Sequence, residues 1–340
     1  MSKRILIVRT DRVGDVVMIT PMVREIKKTF PDSFIATLTQ PNTTAILENN
    51  PHIDLMITDD LKDESYKKVI EEIKRYKFTD GLLVLPTERA AYQLFRAGVK
   101  NRIGVGRKLY EIITFMKSVS RKNYIPLRHE ADYCMDLARK IGVITDNIQP
   151  EIFATEDEKE WTNNFYEERC INENTFKIIL HTGSKNSAPN WREEKYLDLV
   201  KGILKKFPDG NLNLMLTALE MTDGFRKEIK NLNDERVMDV SHKITNLREL
   251  IKVISGTDLM LCSSTGPIHL ADALNIKCIG IHCHRNINCA KHWGVLNKKS
   301  INLEVTKEYC DSHCSNDKNI CNFEDGIQIE EVIKHIEIKK

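Results

Sequence analysis

Two stretches of this chain repeat the same order of strand, loop, helix and strand, and this order limits the possible folds more than any other feature. The first places strands at residues 4–8 and 34–38 around a helix at about 16–30; the second places them at 176–181 and 212–217 around a helix at 193–207. Each strand is a nearly unbroken apolar run, which is typical of parallel strands covered on both faces. The repeat predicts an α/β protein of two doubly wound domains.

The length of the chain agrees with two domains. At 340 residues it suits two units of about 150 residues each. The acidic, polar stretch 150–173 is the best candidate for the linker, so we expect one domain at 1–160 and a second at 161–340. An amphipathic helix closes the chain at 329–338, and packing of this helix back on the first domain is an open alternative.

Composition and charge exclude several classes of protein. A net charge of +2 does not indicate nucleic-acid binding. No apolar run approaches the roughly 20 residues that span a bilayer, and residues 1–10 lack the apolar core of a signal peptide. We therefore expect a cytoplasmic protein whose nine cysteines are mostly buried, reduced thiols. The sequence contains no Walker loop, no G-x-G-x-x-G and no Ser-His-Asp order, so it does not indicate ATPase, dinucleotide or hydrolase chemistry.

The stretch DLMLCSSTGPIHLADAL at 258–274 predicts a phosphate site. A buried strand leads into the small residues Ser264, Thr265 and Gly266, and Pro267 suits the first turn of the helix that follows. Hydroxyls, backbone N–H groups and the helix N-terminus all favour an anion, and His269 lies on the first turn. The alternative is an ordinary capped turn between a strand and a helix.

Residues 88–130 form a basic stretch with interleaved aromatic residues. They contain ten Lys or Arg but only three Glu. This mixture suits a phosphorylated or membrane-borne partner, and a solvated basic surface is the alternative. The candidates for binding an anionic acceptor are five arginines: Arg89, Arg96, Arg102, Arg107 and Arg121.

Three segments together resemble a known family. They are LIVRTDRVGDVVMITPMVREIKKTFPDSFI near the start, HTGSKNSAPNWREEKYLDLVKGI in the middle and SSTGPIHLADALNIKCIGI near the end. In this order they resemble glycosyltransferase family 9, the bacterial heptosyltransferases of lipopolysaccharide synthesis. The resemblance implies a GT-B architecture, in which two Rossmann-like domains face each other across a cleft. The first domain would hold the acceptor and the second the nucleotide sugar.

The resemblance also implies a reaction. Family members transfer heptose from ADP-heptose to a lipid A core or similar saccharide, with inversion and without a metal. We therefore expect no cofactor and no metal, with ADP-heptose as the donor substrate. The partner would be an anionic lipid-linked or core saccharide, met at the inner face of the cytoplasmic membrane, with peripheral membrane contact as a further expectation.

Site residues follow from the matching positions. Asp15 matches the catalytic Gly-Asp of the family, Asp11 is the second candidate, and capping of a helix that begins near residue 16 is the alternative role of Asp15. The nucleotide sugar would be bound by residues from three loops: Thr182, Ser184, Lys185, Arg192, Glu220, Ser264, Thr265, Gly266 and His269. Two positions depart from the family, since Ser264 stands where many members have Asp, and Pro189 where members have Lys or Arg.

Other interpretations stay open at this point. A member of the same family with another donor would carry the same segments, a GT-B epimerase would need no acceptor, and a degenerate protein would bind the sugar nucleotide without turnover. Three cysteines near the end and His313 resemble a zinc set only weakly, because paired C-x2-C spacing is absent; the cysteines are Cys310, Cys314 and Cys321. We favour structural thiols for them.

Overall fold

A computed structural model describes residues 2–106, 108–121, 124–185, 187–218, 220–313 and 323–338. The chain divides into two compact units, Met1–Phe153 and Ala154–Lys340. The division therefore falls after Phe153, whereas the expected boundary is at residue 160. Each unit contains a six-stranded parallel sheet with flanking helices.

In the first unit the strands pair in the order β3-β2-β1-β4-β5-β6. The strands are β1 (Arg4–Val8), β2 (Phe34–Thr39), β3 (Leu55–Thr58), β4 (Asp80–Leu83), β5 (Asn101–Val105) and β6 (Lys117–Val119). The helices are α1 (Val13–Val17), α2 (Thr20–Thr29), α3 (Asp63–Tyr76), α4 (Glu88–Arg96), α5 (Leu109–Ile113) and α6 (Glu130–Arg139). A short 3-10 helix lies at Thr44–Ile46.

In the second unit the order is β12-β11-β10-β7-β8-β9. The strands are β7 (Phe176–His181), β8 (Leu212–Thr217), β9 (Val237–Asp239), β10 (Leu259–Ser263), β11 (Lys277–His282) and β12 (Ile301–Glu304). The helices are α7 (Glu156–Glu167), α8 (Glu193–Lys206), α9 (Asp223–Asn231), α10 (Leu247–Ser255), α11 (Gly266–Ala273), α12 (Ala290–Trp293), α13 (Lys307–His313) and α14 (Ile329–Lys334). Two 3-10 helices lie at Ser241–Lys243 and Phe323–Gly326.

Both sheets change direction at one point. The chain runs from β1 outward to β3 and then returns to β4 on the other side of β1. In the second unit it runs from β7 to β9 and returns to β10 beside β7. Open parallel sheets bind ligands at the carboxyl ends of the strands beside such a switch point. The loops after β1, β7 and β10 are therefore the places where a site is expected.

The single helix expected at 16–30 is wrong, because the chain forms two helices, α1 and α2. Pro21 has no N–H to donate to the carbonyl of Val17, four residues earlier, so a continuous helix would lose that bond. The hydroxyl of Thr20 donates to Val17 O instead, at 2.8 Å. The break leaves α1 as a short helix that begins at Val13 and carries Asp15 in its first turn.

The linker expected at 150–173 contains a helix, α7. Thr155 caps its N-terminus in a reciprocal capping box with Glu158. The hydroxyl of Tyr166 donates to Val253 O of α10 at 2.7 Å, and Arg248 of α10 pairs with Glu158 at 2.6 Å. Polar composition suggested a linker, but the packing of α7 against α10 makes this segment part of the second unit.

The closing helix α14 belongs to the second unit. The sequence leaves open its packing on the first domain, but Val332 and Ile336 lie in the core cluster of the second unit. A side chain at Gly202 of α8 would overlap Ile333, so the two helices approach closely. Lys206 donates to Ile333 O at 2.8 Å. None of the helices in the described parts of the chain is long and apolar enough to cross a membrane.

Candidate active site

The loop after β1 contains a cluster of charges around one buried arginine. Arg9 contacts three carboxylates: its Nε lies 2.8 Å from Asp11 Oδ1, its Nη2 bonds Asp15 Oδ1, and its Nη1 lies 3.1 Å from Glu130 Oε1. The side chain of Arg9 is 4% exposed and that of Glu130 is 3% exposed, whereas those of Asp11 and Asp15 are 18% and 20% exposed. The cluster therefore has a closed side at Glu130 and an open side at the two aspartates.

Burial and charge act in opposite directions within this cluster. Burial by itself lowers the pKa of Arg9, but the surrounding negative groups outweigh burial and raise the pKa well above its usual value. Arg9 therefore stays charged. For Asp11, burial raises the pKa to about 6, with Arg9 opposing the shift and Asp15 and Glu130 adding to it. Asp11 thus holds its proton far more readily than an ordinary surface carboxyl.

Asp15 does not cap its helix. Arg12 is the N-cap residue of α1, and Asp15 is an acidic residue of the first turn. The alternative role considered above is therefore wrong, because α1 begins three residues before the expected start. The guanidinium of Arg9 bonds Asp15 Oδ1 and fixes the orientation of the carboxylate. The result is a partly exposed carboxylate of fixed geometry at the switch point.

Arg9, Glu130 and Cys134 extend the site beyond what the sequence indicates, and Glu130 contacts Arg121, which the sequence gives as an acceptor candidate. Arg121 holds Glu130 with both Nη atoms at 3.3 Å, and the thiol of Cys134 lies 3.6 Å from Arg9 Nη1. Burial raises the pKa of the Cys134 thiol, so this group is not a nucleophile. Arg9 directly follows β1, and a basic residue at that position was a possible signal of a site. No local pattern connects it with Glu130 and Cys134 of α6.

In the second unit, Asn190 joins the two loops beside the switch point. Its Nδ2 donates to Thr182 O at 2.7 Å, and its Oδ1 accepts from Tyr196 Oη at 2.7 Å and from the hydroxyl of Ser263. One side chain thus connects the loop after β7, the helix α8 and the end of β10. Sequence reasoning names Thr182 but neither Asn190 nor Tyr196; the signal for Asn190 was its position directly before Trp191, which is buried.

The loop after β10 has the features of an anion site. Thr265 is the N-cap residue of α11, and Gly266 and Pro267 form its first turn. Among the described residues, no hydrogen-bond partner reaches the buried hydroxyl of Thr182 on the neighbouring loop. A buried hydroxyl without a partner is costly, so a ligand oxygen at this place would restore its hydrogen bond. The structure therefore brings Thr182, Thr265 and Gly266 to adjacent strand ends.

Two histidines lie under these loops. His269 is buried on α11, with its ring 5.5 Å from the ring of Trp293. His181 is buried at the end of β7, where its Nδ1 lies 2.9 Å from the hydroxyl of Thr217. Burial lowers the pKa of His181 to about 4, so this ring is neutral at physiological pH. His181 acts as a neutral support for the loop rather than as a cation for phosphate.

The remaining donor-site candidates lie on more open parts of the same edge. Ser264 and Ser184 are half-buried, and Lys185 is exposed, with a left-handed backbone at φ 46°. Arg192 is the N-cap residue of α8, and its Nε pairs with Glu324 Oε2 at 2.8 Å. Arg192 therefore already has an acidic partner. Glu220 is exposed in the connection between β8 and α9.

The acceptor arginines do not form one group. Arg89 makes a bidentate pair with the buried Asp59, both atoms at 2.9 Å, and Arg121 holds Glu130. Arg102 is buried and donates from Nε to Thr114 O at 2.9 Å. The guanidinium groups of Arg89 and Arg102 thus stabilise the fold, and their binding of an acceptor stays a prediction. Arg96 is exposed, and Arg107 lies outside the described residues.

The described residues contain no group of three or more His, Cys, Asp or Glu side chains arranged to hold a metal ion. Cys310 is buried on α13, and His313 stacks on Tyr309 at 4.1 Å. Cys314 and Cys321 lie outside the described residues. The thiols at 262 and 278 are buried in the core, and burial raises the pKa of each.

Comparison with known families decides the class of this chain. The model of glycosyltransferase family 9 (heptosyltransferase) matches residues 66–320. The chain belongs to glycosyltransferase family 9. Membership in this family supports the assignment of the protein as a glycosyltransferase. The matched range begins after the first signature segment, so Asp11 and Asp15 lie outside it.

Individual relatives extend the similarity over most of the chain. A glycosyltransferase of Haemophilus influenzae is 26% identical over 303 residues, which cover 87% of this chain and 86% of the relative. The lipopolysaccharide core heptosyltransferase OpsX of the same organism is 25% identical over 295 residues, covering 84% and 80%.

Solved structures of the family share the fold. The family 9 glycosyltransferase of Veillonella parvula superposes with a TM-score of 0.80 at 19% identity, covering 98% of this chain and 97% of that one. The ADP-heptose lipopolysaccharide heptosyltransferase II of Escherichia coli gives 0.76 at 15% identity, covering 98% and 97%. The GT-B class expected from the sequence is confirmed.

Proposed function

We propose that this family 9 protein transfers a heptose from ADP-heptose to a lipopolysaccharide core or related saccharide, with inversion and without a metal. The observation that carries the proposal is the carboxylate of Asp15. It is partly exposed, it lies at the switch point of the first sheet, and the buried Arg9 fixes its orientation. A general base must be accessible and well oriented, and Asp15 meets both requirements.

The proposed reaction is a single displacement. The Asp15 carboxylate takes the proton of the acceptor hydroxyl as its oxygen attacks the anomeric carbon of the heptose. The bond from that carbon to the β-phosphate oxygen breaks, and ADP leaves with the bonding electrons. Attack from the face opposite the leaving group inverts the anomeric centre, and the proton ends on Asp15.

The second unit supplies the groups that would stabilise the leaving ADP. The N-terminus of α11 at Thr265 and Gly266 directs N–H groups at the diphosphate, and the hydroxyl of Thr182 gains the partner that the described residues lack. Lys185 and Ser184 are further donors on the same edge, His269 supports the first turn, and Glu220 is proposed for the ribose hydroxyls. The names OpsX and ADP-heptose heptosyltransferase II support the donor and the acceptor class.

Calorimetric titration tests the donor. The purified protein is titrated with ADP, UDP, GDP and ADP-heptose, first in EDTA and then with magnesium. We expect binding of the ADP forms alone, with equal affinity in both buffers. Preference for UDP or GDP would replace the donor within the same family, and dependence on magnesium would overturn the metal-free mechanism.

Matched substitutions test the base. Asp15→Asn should lower turnover by about 10²–10⁴-fold and leave ADP affinity unchanged, because the variant keeps the donor loops intact. Asp11→Asn is the matched control, since it removes the other aspartate bound by Arg9. A large loss in Asp11→Asn with little change in Asp15→Asn would move the role of base to Asp11.

One alternative has an observation in its favour. Ser264 and Pro189 stand where many family members carry charged residues, so a protein that binds the sugar nucleotide without turnover is the second candidate. Tight ADP binding with no transfer to any lipopolysaccharide acceptor, and no effect of Asp15→Asn on any measured property, would favour it.

A further inference from the structure

The helix α5 exposes its apolar face. Leu109, Ile112 and Ile113, which share one face by their i, i+3, i+4 spacing, are 72%, 63% and 48% exposed. The charged residue of the same helix points inward, since Glu111 is only 3% exposed and accepts the backbone N–H of Lys108 at 2.9 Å. A surface helix normally buries the apolar stripe and exposes the charge. In α5 this arrangement is inverted.

Two phenylalanines continue the exposed apolar surface. Phe115, directly after α5, is 76% exposed, and Phe95 near the end of α4 is 39% exposed. Their ring centroids lie 6.4 Å apart. We call Leu109, Ile112, Ile113, Phe115 and Phe95 the α5 patch. A cluster of large exposed apolar side chains is unusual on a soluble protein and marks a place of interaction.

The fold holds this patch in place. Arg102 donates from Nε to Thr114 O at 2.9 Å, and its guanidinium lies 5.2 Å from the centroid of the Phe95 ring. The hydroxyl of Thr114 donates to Tyr110 O at 2.7 Å, and the hydroxyl of Tyr110 donates to Pro86 O. Buried polar contacts on both sides of α5 therefore fix the helix with its apolar side chains outward.

The exposed charged residues directly beside the patch along the chain are cations. Residues 89–128 contain ten Lys or Arg and a single acid, Glu111, which is buried. Lys108 directly precedes Leu109, Lys117 follows Phe115 by two positions, and Arg96 follows Phe95; all three are exposed. We call Lys108, Lys117 and Arg96 the basic rim. An apolar centre with a basic rim is complementary to a surface that is apolar inside and anionic outside.

We propose that the α5 patch docks on the surface of an anionic phospholipid bilayer. The helix lies in the plane of the interface, the five apolar side chains enter the boundary between headgroups and acyl chains, and the cations of the basic rim meet lipid phosphates. A second copy of this chain fits less well. A two-fold contact would place the basic rim of one copy against that of the other, and like charges would oppose it.

The position of the patch connects it with the candidate base. The helix α5 follows the carboxyl end of β5, and Arg121, just beyond β6, bonds the same Glu130 that holds Arg9. Bilayer docking through this segment would bring a lipid-linked saccharide to the unit that carries Asp15. This last step rests on the proposed function, whereas the docking itself rests only on the surface.

Vesicle flotation tests the docking with the full chain. The protein is mixed with vesicles of phosphatidylcholine alone or of phosphatidylcholine with phosphatidylglycerol, and the fraction that floats is measured at low and high salt. We expect flotation with the anionic vesicles, weakened by salt, and little with the neutral ones. Failure of the folded protein to float with anionic vesicles overturns the proposal.

Two double variants separate the apolar and the charged contributions. Ile112→Ser with Phe115→Ser should weaken binding by on the order of tenfold to a hundredfold, because two exposed apolar groups no longer enter the bilayer. Lys108→Glu with Lys117→Glu should weaken it by at least roughly twenty-fold and remove the salt dependence. Ile144→Ser is the matched control, since Ile144 is 95% exposed in the same unit but outside the patch.

Sedimentation velocity tests the alternative that the α5 patch contacts a second copy of this chain. All substituted side chains are exposed, so circular dichroism should report unchanged folding. A wild-type dimer that becomes a monomer in the Ile112→Ser, Phe115→Ser variant, with unchanged vesicle binding, would assign the patch to a second copy instead. The vesicles contain no saccharide, so their failure leaves the separate ADP titration intact, and failure of that titration leaves the docking result intact.

Discussion

Replacement of Arg9 by methionine tests the physical basis of the candidate site. Methionine is uncharged and of similar length, so the substitution removes the cation while leaving much of the volume filled. Arg9 contacts Asp11, Asp15 and Glu130, and among the described residues Glu130 alone of the three has a second cation, Arg121. The variant therefore leaves two aspartates close together without their partner.

The size of the effect follows from burial. Loss of one partner of a buried ion pair costs about 3–5 kcal/mol, because the remaining charge stays desolvated. Arg9 opposes the rise in the pKa of Asp11, so its removal raises that pKa further above about 6. In the unfolded chain the pKa of Asp11 is near 3.8. The folded variant therefore binds this proton over a wider pH range than the unfolded chain does, and it loses stability as the pH rises. We expect the full cost near pH 8 and a much smaller one near pH 4.

Urea denaturation at several pH values measures this difference. Arg24→Met is the matched control, because Arg24 is also a buried arginine of the first unit with two carboxylate partners, Glu25 at 2.7 Å and Glu151 at 3.0 Å. The control should lose stability without loss of function at a temperature where both variants stay folded. Arg9→Met should in addition show a pH–rate profile whose acidic limb moves to higher pH.

Two results would refute this reasoning. The first is an equal loss of stability at low and high pH, which would mean that Arg9 contributes packing rather than charge compensation. The second is unchanged turnover and an unchanged pH–rate profile in folded Arg9→Met, which would separate the arginine from the chemistry of the cluster.

Three further predictions follow from the titrating and hydrogen-bonding groups. The folded pKa of Asp11 is raised to about 6, so the wild type should lose on the order of 3 kcal/mol of stability at most as the pH rises from about 4 to 6. Asp11→Asn should remove that loss. Identical denaturation curves of the two proteins over that range would contradict this. We expect the opposite trend for His181, because its folded pKa is lowered to about 4. The wild type should lose on the order of 3 kcal/mol of stability as the pH falls from 6.5 towards 4. His181→Gln should flatten that loss in thermal scans. Tyr196→Phe removes the hydroxyl bonded to Asn190 and should cost about 1 kcal/mol while raising the calorimetric Kd for ADP a few-fold; unchanged ADP affinity would show that Asn190 does not depend on Tyr196 for its position.

Much of the fold follows from local sequence patterns. The apolar runs at β1, β7 and β10 and the helices after them are visible without any tertiary information, so the two doubly wound units follow directly. The failures arise where a long-range contact outweighs composition. The stretch 150–173 reads as a linker because it is acidic, but Phe165 and Tyr166 are buried in the second unit. The capping box at Thr155 was the local signal that indicated a helix.

Local sequence patterns also predict only part of the candidate site. Asp15 and the loop at 264–266 are predictable because the loop, the small residues and the helix start are adjacent in sequence. The contacts that hold them are not. Asn190 reaches Ser263 across 73 residues, and Arg9 reaches Glu130 across 121, so each pair exists only because the sheet brings distant strand ends together. A partner that distant leaves no local pattern to detect.

The distance between Arg9 and Glu130 has a consequence for synthesis on the ribosome. Arg9, Asp11 and Asp15 leave the ribosome almost together, but Glu130 follows 121 residues later. At elongation rates of about 5–20 residues per second, the nascent chain waits roughly ten seconds for the side chain that completes the cluster. During that interval the guanidinium has only its two nearby aspartates. Any fragment that ends before α6 should therefore be unable to assemble the candidate base, however well its first strands pair.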